Sequence, residues 1–263
     1  MMKSLSLTAL SHLRLLSPAY RAYEDIRTLN VRGGTVRPPD GLPLPPARLR
    51  VRVAGTAGAA WFLEGGRLAA ETIRDVLERN GTRLDELGTM LDFGCGCGRV
   101  LRHMANLRGE IHGADVDAHA IAWCRENLPF ARFERNDLAL PLSHADGSLD
   151  LVFALSVFTH LPADLQHRWV QELTRVLRPG GLLLLTTHGD HYLERLTASE
   201  RALFSSGEVV VRFDQVAGTN LCTAFHPRTY VQQSLGRGLA LVDFVAKGAT
   251  GNPYQDLFLL RRP

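Results

Sequence analysis

Met90-Leu91-Asp92-Phe93-Gly94-Cys95-Gly96-Cys97-Gly98-Arg99 runs from a short apolar segment into an acid-led turn with glycine at every second position. A helical pattern then leaves through Val100, Leu101 and Met104. Strand, glycine turn and helix in that order make a loop that can touch a nucleotide. Without Cβ atoms, Gly94, Gly96 and Gly98 let the backbone turn sharply and approach a ligand closely. The amides that open the following helix point at the same place. Asp92, at the strand's end, can accept hydrogen bonds from a cationic ligand group, whereas a diphosphate would gain nothing from it. A dinucleotide fingerprint needs its third glycine at position 99, which is Arg99.

Outward from this stretch the chain alternates strand and helix, the pattern of a parallel sheet covered on both faces. The expected strands are Thr89–Phe93, Glu110–Asp115, Ala131–Arg135, Leu149–Leu155 and Leu182–Thr187, with later ones at Leu239–Lys247 and Asp256–Arg261. Expected helices are Arg67–Arg79, one from the glycine turn to about Asn106, one capped by Asp117, one opened by Pro162 and carrying Leu165, Trp169, Leu173 and Val176, and Pro227–Leu235. Between strand five and the last units, His191–Phe204 reads as helical. Glu208–Phe213 and Leu221–Phe225 read as a hairpin or two separate strands.

The 263 residues suffice for one large α/β domain with an appendage. Hydrophobic content of 45% and charged content of 22% are those of an ordinary globular protein. A net charge of +3 does not by itself point to nucleic acid. The charge is uneven: residues 1–60 hold nine Lys/Arg against three Asp/Glu. That excess is either solvated surface or a lid facing an anionic acceptor. Residues 4–16 place Leu5, Leu10, Leu13 and Leu16 on one stripe, which reads as packing on the parent domain rather than as an interfacial membrane helix. Residues 33–46 are a proline-rich extended linker. Leu49–Val53 alternates apolar and basic residues, as a short strand or an extended arm presenting Arg50 and Arg52. No apolar run reaches the ~20 residues of a membrane span. Cys95, Cys97, Cys124 and Cys222 form no CxxC pair and no disulfide framework, and no metal site is expected. His12 and Arg14 interrupt any signal-peptide core, so a cytoplasmic location is expected.

Polar residues recur where the strands end. Asp115, in Gly113-Ala114-Asp115-Val116, can accept bonds from both hydroxyls of a ribose. Asp137 after strand three can accept from an adenine amino group, with the Leu138 amide donating to the ring. Strand four leads into Leu155-Ser156-Val157-Phe158-Thr159-His160 at the carboxyl edge, where open α/β sheets bind ligands.

With Arg175-Val176-Leu177-Arg178-Pro179-Gly180-Gly181, these motifs stand in the order found in the class I S-adenosylmethionine-dependent methyltransferases. The chain resembles that family well over about residues 67–187 and more loosely after them. The resemblance implies a doubly wound, mostly parallel seven-stranded sheet with helices on both faces. An N-terminal helical or extended arm over residues 1–66 would precede a domain over residues 67–263, with a variable insertion at 190–225. It implies S-adenosyl-L-methionine as cofactor: Asp92, Gly94, Gly96 and Gly98 at the methionine end, Asp115 and Val116 at the ribose, Asp137 and Leu138 at the adenine, and Ser156 beside the methyl donor. His160 and His188 are the candidate general bases; either could instead be structural or bind the methionine carboxylate. Arg50 and Arg52 are candidates for holding an acidic acceptor.

The expected reaction is methyl transfer to an oxygen or nitrogen of a small-molecule or glycan acceptor. The alternatives are an NAD(P)-dependent oxidoreductase or a non-catalytic S-adenosylmethionine-binding subunit. A second copy of the chain is a candidate partner. Nucleic acid is not expected, because the loop after strand four lacks a base-binding Asn/Asp-Pro-Pro-Tyr/Phe motif.

Overall fold

The computed structural model describes residues 16–29, 37–139, 141–252 and 254–263. The expected leucine stripe at 4–16 and the start of the linker at 33–36 fall almost wholly outside these residues. Helices α1 (Leu16–Leu29), α2 (Ala47–Ala54) and α3 (Ala59–Arg79) precede the first strand. There follow β1 (Thr89–Phe93), β2 (Glu110–Asp115), α4 (Ala118–Asn127), β3 (Arg132–Arg135), β4 (Leu149–Ala154), α5 (Ala163–Val176) and β5 (Leu177–Thr187). After β5 come α6 (Ala198–Ser205), the antiparallel pair β6 (Val210–Arg212) and β7 (Thr223–Phe225), and the hairpin β8 (Ala240–Ala249) and β9 (Gln255–Arg261).

Among the described residues, seven strands form one sheet in the order β3-β2-β1-β4-β5-β9-β8. The first five pair in parallel, and β9 runs antiparallel to β5 and β8. Alternate side chains of each strand point to opposite faces. Met90, Leu151, Phe153, Leu184 and Leu259 therefore pack with α3 and α4 on one face. Leu91, Val152, Leu183, Leu185 and Phe258 pack with Trp169, Val170, Leu173 and Val176 of α5 on the other. Burial on both faces explains why β4 and β5 read as nearly continuous apolar runs.

Four local expectations are corrected. Leu49–Val53 is neither strand nor extended arm: it lies in α2, where Leu49 and Val51 are buried and Gly55 ends the helix with φ of +68°. Helix α3 begins at Ala59, so the expected boundary between residues 66 and 67 falls inside a helix. The segment after the glycine turn is a series of turns with a short 3-10 helix at Leu101–Met104 instead of a regular helix. Residues 228–235 form one short helical turn that continues as a π-helix.

Candidate active site

The parallel register sets Phe93 beside Ala114 and Asp92 beside Phe153, so the ends of β1, β2 and β4 share one edge of the sheet. A cavity of about 210 Å³ opens there. The glycine loop forms its floor. The amides of Gly94 and Cys95 both donate to the Ala114 carbonyl, at 2.8 and 3.1 Å, which ties the loop to β2. Gly94 and Gly96 line the cavity with φ of +81° and +54°. A Cβ at Gly94 would overlap Val157, and one at Gly96 would overlap Val53 of α2. Gly98 has a different job: it does not line the cavity, and a Cβ there would meet Leu128 beyond α4.

Two carboxylates face the cavity. Asp92 is 3% exposed and accepts no hydrogen bond from the described residues. Burial, aided by the charge of Asp115 and opposed by Arg99, holds its carboxyl well above the usual carboxylate range. A cation arriving beside it would favour the ionised form. Asp115 is braced, with Oδ2 accepting from the Gly96 amide and Oδ1 from the Asp117 amide, both at 2.8 Å. Burial raises its pKa and these two amides oppose the rise. Val116 and Leu138 also line the cavity.

Asp137 does not line it. Its carboxylate is exposed and pairs with Arg135 at 3.3 Å. The preceding residue takes that place: Asn136 is 9% exposed and lines the cavity, and its Oδ1 has no partner among the described residues. The side-chain amide of Asn136 donates to the Asp137 carbonyl at 3.0 Å, which leaves Oδ1 as the unused acceptor. The sequence signal for Asn136 was its place directly before the acid, at the end of β3.

Ser156 also lines the cavity, with φ of +62°, a left-handed conformation that is costly for a residue with a side chain. The Thr186 hydroxyl accepts from its amide at 2.8 Å, and the Gln255 side chain donates to its Oγ at 2.8 Å. His160 also lines the cavity. Its Nδ1 lies 2.7 Å from the Cys222 carbonyl, and because a carbonyl only accepts, Nδ1 carries the proton. Nε2 is then the basic nitrogen. Burial lowers the pKa of this ring, against the effect of the Cys222 carbonyl.

His188 does not line the cavity. Its Nδ1 donates to the Ala224 carbonyl at 3.2 Å, and its Nε2 lies 3.5 Å from the Gln255 amide nitrogen. Burial, with a smaller contribution from His160, pushes its pKa down to about 4. The structure thus places His188 as a packed ring under the site, apart from the reacting space.

The two arginines expected to hold an acceptor also part company. Arg50 is 9% exposed and turned away from the cavity; its guanidinium donates to the carbonyls of Ala57 and Pro45. Arg52 lines the cavity, but two acids already match its charge. Glu24 of α1, fully buried, accepts from Arg52 Nε and NH2 at 2.8 and 2.7 Å, and Asp117 pairs with NH1. Asn220 of the insertion donates to the Arg52 carbonyl at 2.7 Å and to the Tyr20 hydroxyl at 2.9 Å. Helices α1 and α2 and the insertion therefore meet over one side of the cavity. The alternation of charge at 50–52 could not reveal this, because the partners are distant in sequence.

The site can hold a cation at Asp92, a hydroxylated ring at Asp115 and an amino group at Asn136, and the His160 imidazole lines the same cavity. Residues 90–181 match the family model of a methyltransferase domain. A probable S-adenosylmethionine-dependent methyltransferase of Mycolicibacterium smegmatis is 36% identical over 99 residues, which are 37% of this chain and 37% of that protein. The trans-aconitate 2-methyltransferase of Variovorax paradoxus is 32% identical over 124 residues, 44% of this chain and 47% of that protein. The chain spans less than half the length of these curated relatives. Among solved structures, an S-adenosylmethionine-dependent methyltransferase from Mesorhizobium loti shares the fold, with a TM-score of 0.55 at 18% identity over 73% of this chain and 98% of that one.

Proposed function

We propose that this chain, a member of the class I S-adenosylmethionine-dependent methyltransferases, moves a methyl group from S-adenosylmethionine to an oxygen or nitrogen of a small-molecule or glycan acceptor. One observation carries the reading: Asp92, a buried carboxylate without a hydrogen-bond partner among the described residues, lines the same cavity as Asp115 and Asn136, whose Oδ1 is likewise unpaired among them. These residues fit the cofactor: Asp92 toward its ammonium group, Asp115 toward the ribose hydroxyls, and Asn136 Oδ1 toward the adenine amino group. A nicotinamide dinucleotide fits poorly, because its diphosphate would lie against Asp92.

S-adenosylmethionine supplies an activated methyl on a sulfonium whose leaving group is neutral. The chain's own work is then alignment and, for a hydroxyl or ammonium acceptor, removal of a proton. His160 Nε2 is the base in this reading. Its proton-bearing Nδ1 is held by the Cys222 carbonyl, so the lone pair stays directed away from that bond. Ser156, fixed by Thr186 and Gln255, shapes the wall beside the methyl donor. Arg50 and Arg52 give no support to an anionic acceptor, since carbonyls hold the first and carboxylates neutralise the second. Helices α1 and α2 act as a lid that excludes water from the reacting space.

The test is incubation of the protein with methyl-labelled S-adenosylmethionine and fractionated small-molecule and glycan extracts. Label should enter a protein-dependent product outside the nucleic-acid fraction. Label confined to nucleic acid, or no transfer to any fraction despite cofactor binding, overturns the proposal.

A further inference from the structure

The loop joining β8 and β9 is seated on α3 and the glycine turn more tightly than a connecting loop requires. A Cβ at Gly251 would overlap the Gly65 carbonyl, and one at Gly66 would overlap the Arg99 carbonyl. The Thr250 hydroxyl lies 2.5 Å from that of Thr72 and 3.1 Å from the Leu68 carbonyl. Arg99, 6% exposed, donates from NH1 to the Gly251 carbonyl at 3.1 Å and from NH2 to Asn252 Oδ1 at 2.6 Å. Because a guanidinium has no acceptor, that last bond fixes the Asn252 amide with its oxygen toward Arg99. Asn252 Nδ2 is left buried with no partner among the described residues, on a residue that lines the cofactor cavity. Arg99 Nε is likewise buried and unpaired, and Arg99 also lines the cavity.

Two unused donors thus belong to residues lining the same cavity as Asp92, an unused acceptor whose carboxyl feels the charge of Arg99. We infer that Asn252, presented by Arg99 on the β8–β9 loop, binds the α-carboxylate of the cofactor's amino-acid end while Asp92 takes its ammonium group. The inference rests on the methyltransferase reading and adds a binding residue to it. A buried amide donor and a carboxylate satisfy each other, and the carboxylate also meets the positive charge of Arg99. The loop that joins the last two strands then discriminates ligands with an intact amino acid from those that have lost it.

Calorimetry on the full chain tests this with three thioethers of one nucleoside: S-adenosylhomocysteine, its decarboxylated amine, and methylthioadenosine. Asn252→Ala should weaken S-adenosylhomocysteine by about tenfold or more, the loss of one hydrogen bond to a charged group. It should leave the other two within about twofold of their wild-type affinities, the scatter of an uninvolved site. Asn252→Asp should weaken S-adenosylhomocysteine further, because a carboxylate would face a carboxylate. Asn252→Ala also takes an acceptor from the buried Arg99 and should lower the thermal midpoint, so the selectivity of the loss among the three ligands, and not the midpoint, identifies the effect as local. Equal losses for all three ligands, or no loss for any, overturn the assignment of Asn252 and leave the methyltransferase reading standing. Failure of the wild type to bind any of the three overturns both.

Discussion

The ring Nδ1 of His160 lies 2.7 Å from the carbonyl oxygen of Cys222, sixty-two residues further along the chain. The insertion between β5 and β8 therefore determines which nitrogen of a cavity-lining histidine is basic. If His160 is the base, His160→Ala should lower kcat by about a hundredfold, within the range of general base catalysis, and leave S-adenosylhomocysteine affinity unchanged. Burial holds the ring's pKa below the ordinary imidazole value of 6.5. The unprotonated form then prevails through neutral pH, so kcat should be level there and fall only on acidification below that value. A rate still rising with pH well above neutrality assigns the proton transfer to another group.

Asp92 makes a trade between stability and binding. Its folded pKa lies above its unfolded value, so its ionisation withdraws stability as pH rises through the folded pKa. The amide introduced by Asp92→Asn cannot ionise, so this variant should melt higher than the ligand-free wild type at neutral pH. Affinity for S-adenosylhomocysteine should meanwhile fall by about tenfold or more, since one charged acceptor is lost. Thermal melts with and without ligand check both halves, and a variant that melts lower and binds normally contradicts the role of Asp92.

Gly96 and Val53 join the glycine turn to α2. Gly96→Ala combines a left-handed φ of +54° with a Cβ that overlaps Val53. The backbone term alone costs about 1–3 kcal/mol. Denaturant unfolding should show a destabilisation of at least that order, and cofactor binding should weaken as α2 is displaced. Adding Val53→Ala removes the overlap but not the backbone strain, so the double variant should recover only part of the stability.

Glu24 tests the lid. It is fully buried and holds Arg52 through two hydrogen bonds, while Arg52 also pairs with Asp117. Glu24→Gln leaves the guanidinium with one carboxylate partner and should loosen α1 over the cavity. Cofactor affinity should change modestly, whereas turnover should drop and added salt should depress it further. Turnover equal to wild type at all salt concentrations contradicts a lid role for α1.

Much of the sheet was readable from local pattern. Strands β1 and β2 lie where the apolar run into Gly94 and the run ending at Asp115 place them; β1 is buried from Met90 to Phe93, whereas β2 alternates buried Ile111 and Gly113 with the more open Glu110 and His112. Asp117 caps α4 through bonds to the amides of His119 and Ala120, as its place after the strand implies. The misreadings share one cause: tertiary partners outvoted local pattern. The alternation in Leu49–Val53 mimics a strand, but the Arg50 guanidinium finds carbonyls and Arg52 finds two acids once the segment coils as a helix. Charge drew the adenine assignment to Asp137, while the buried neighbour Asn136 holds the unused acceptor. Asn252 lies between the last two expected strands, where no local pattern marks it, and its bond from the distant Arg99 ties it to the cavity lining.

The proposed chemistry stands or falls with this cavity binding S-adenosylmethionine through its acids. Calorimetric titration of S-adenosylhomocysteine into the full chain, with NAD titrated in parallel, reads that binding without an acceptor. Saturable one-site binding of S-adenosylhomocysteine is expected, lost or sharply weakened in Asp92→Asn, with no comparable binding of NAD. Saturable binding of NAD with none of S-adenosylhomocysteine would contradict it.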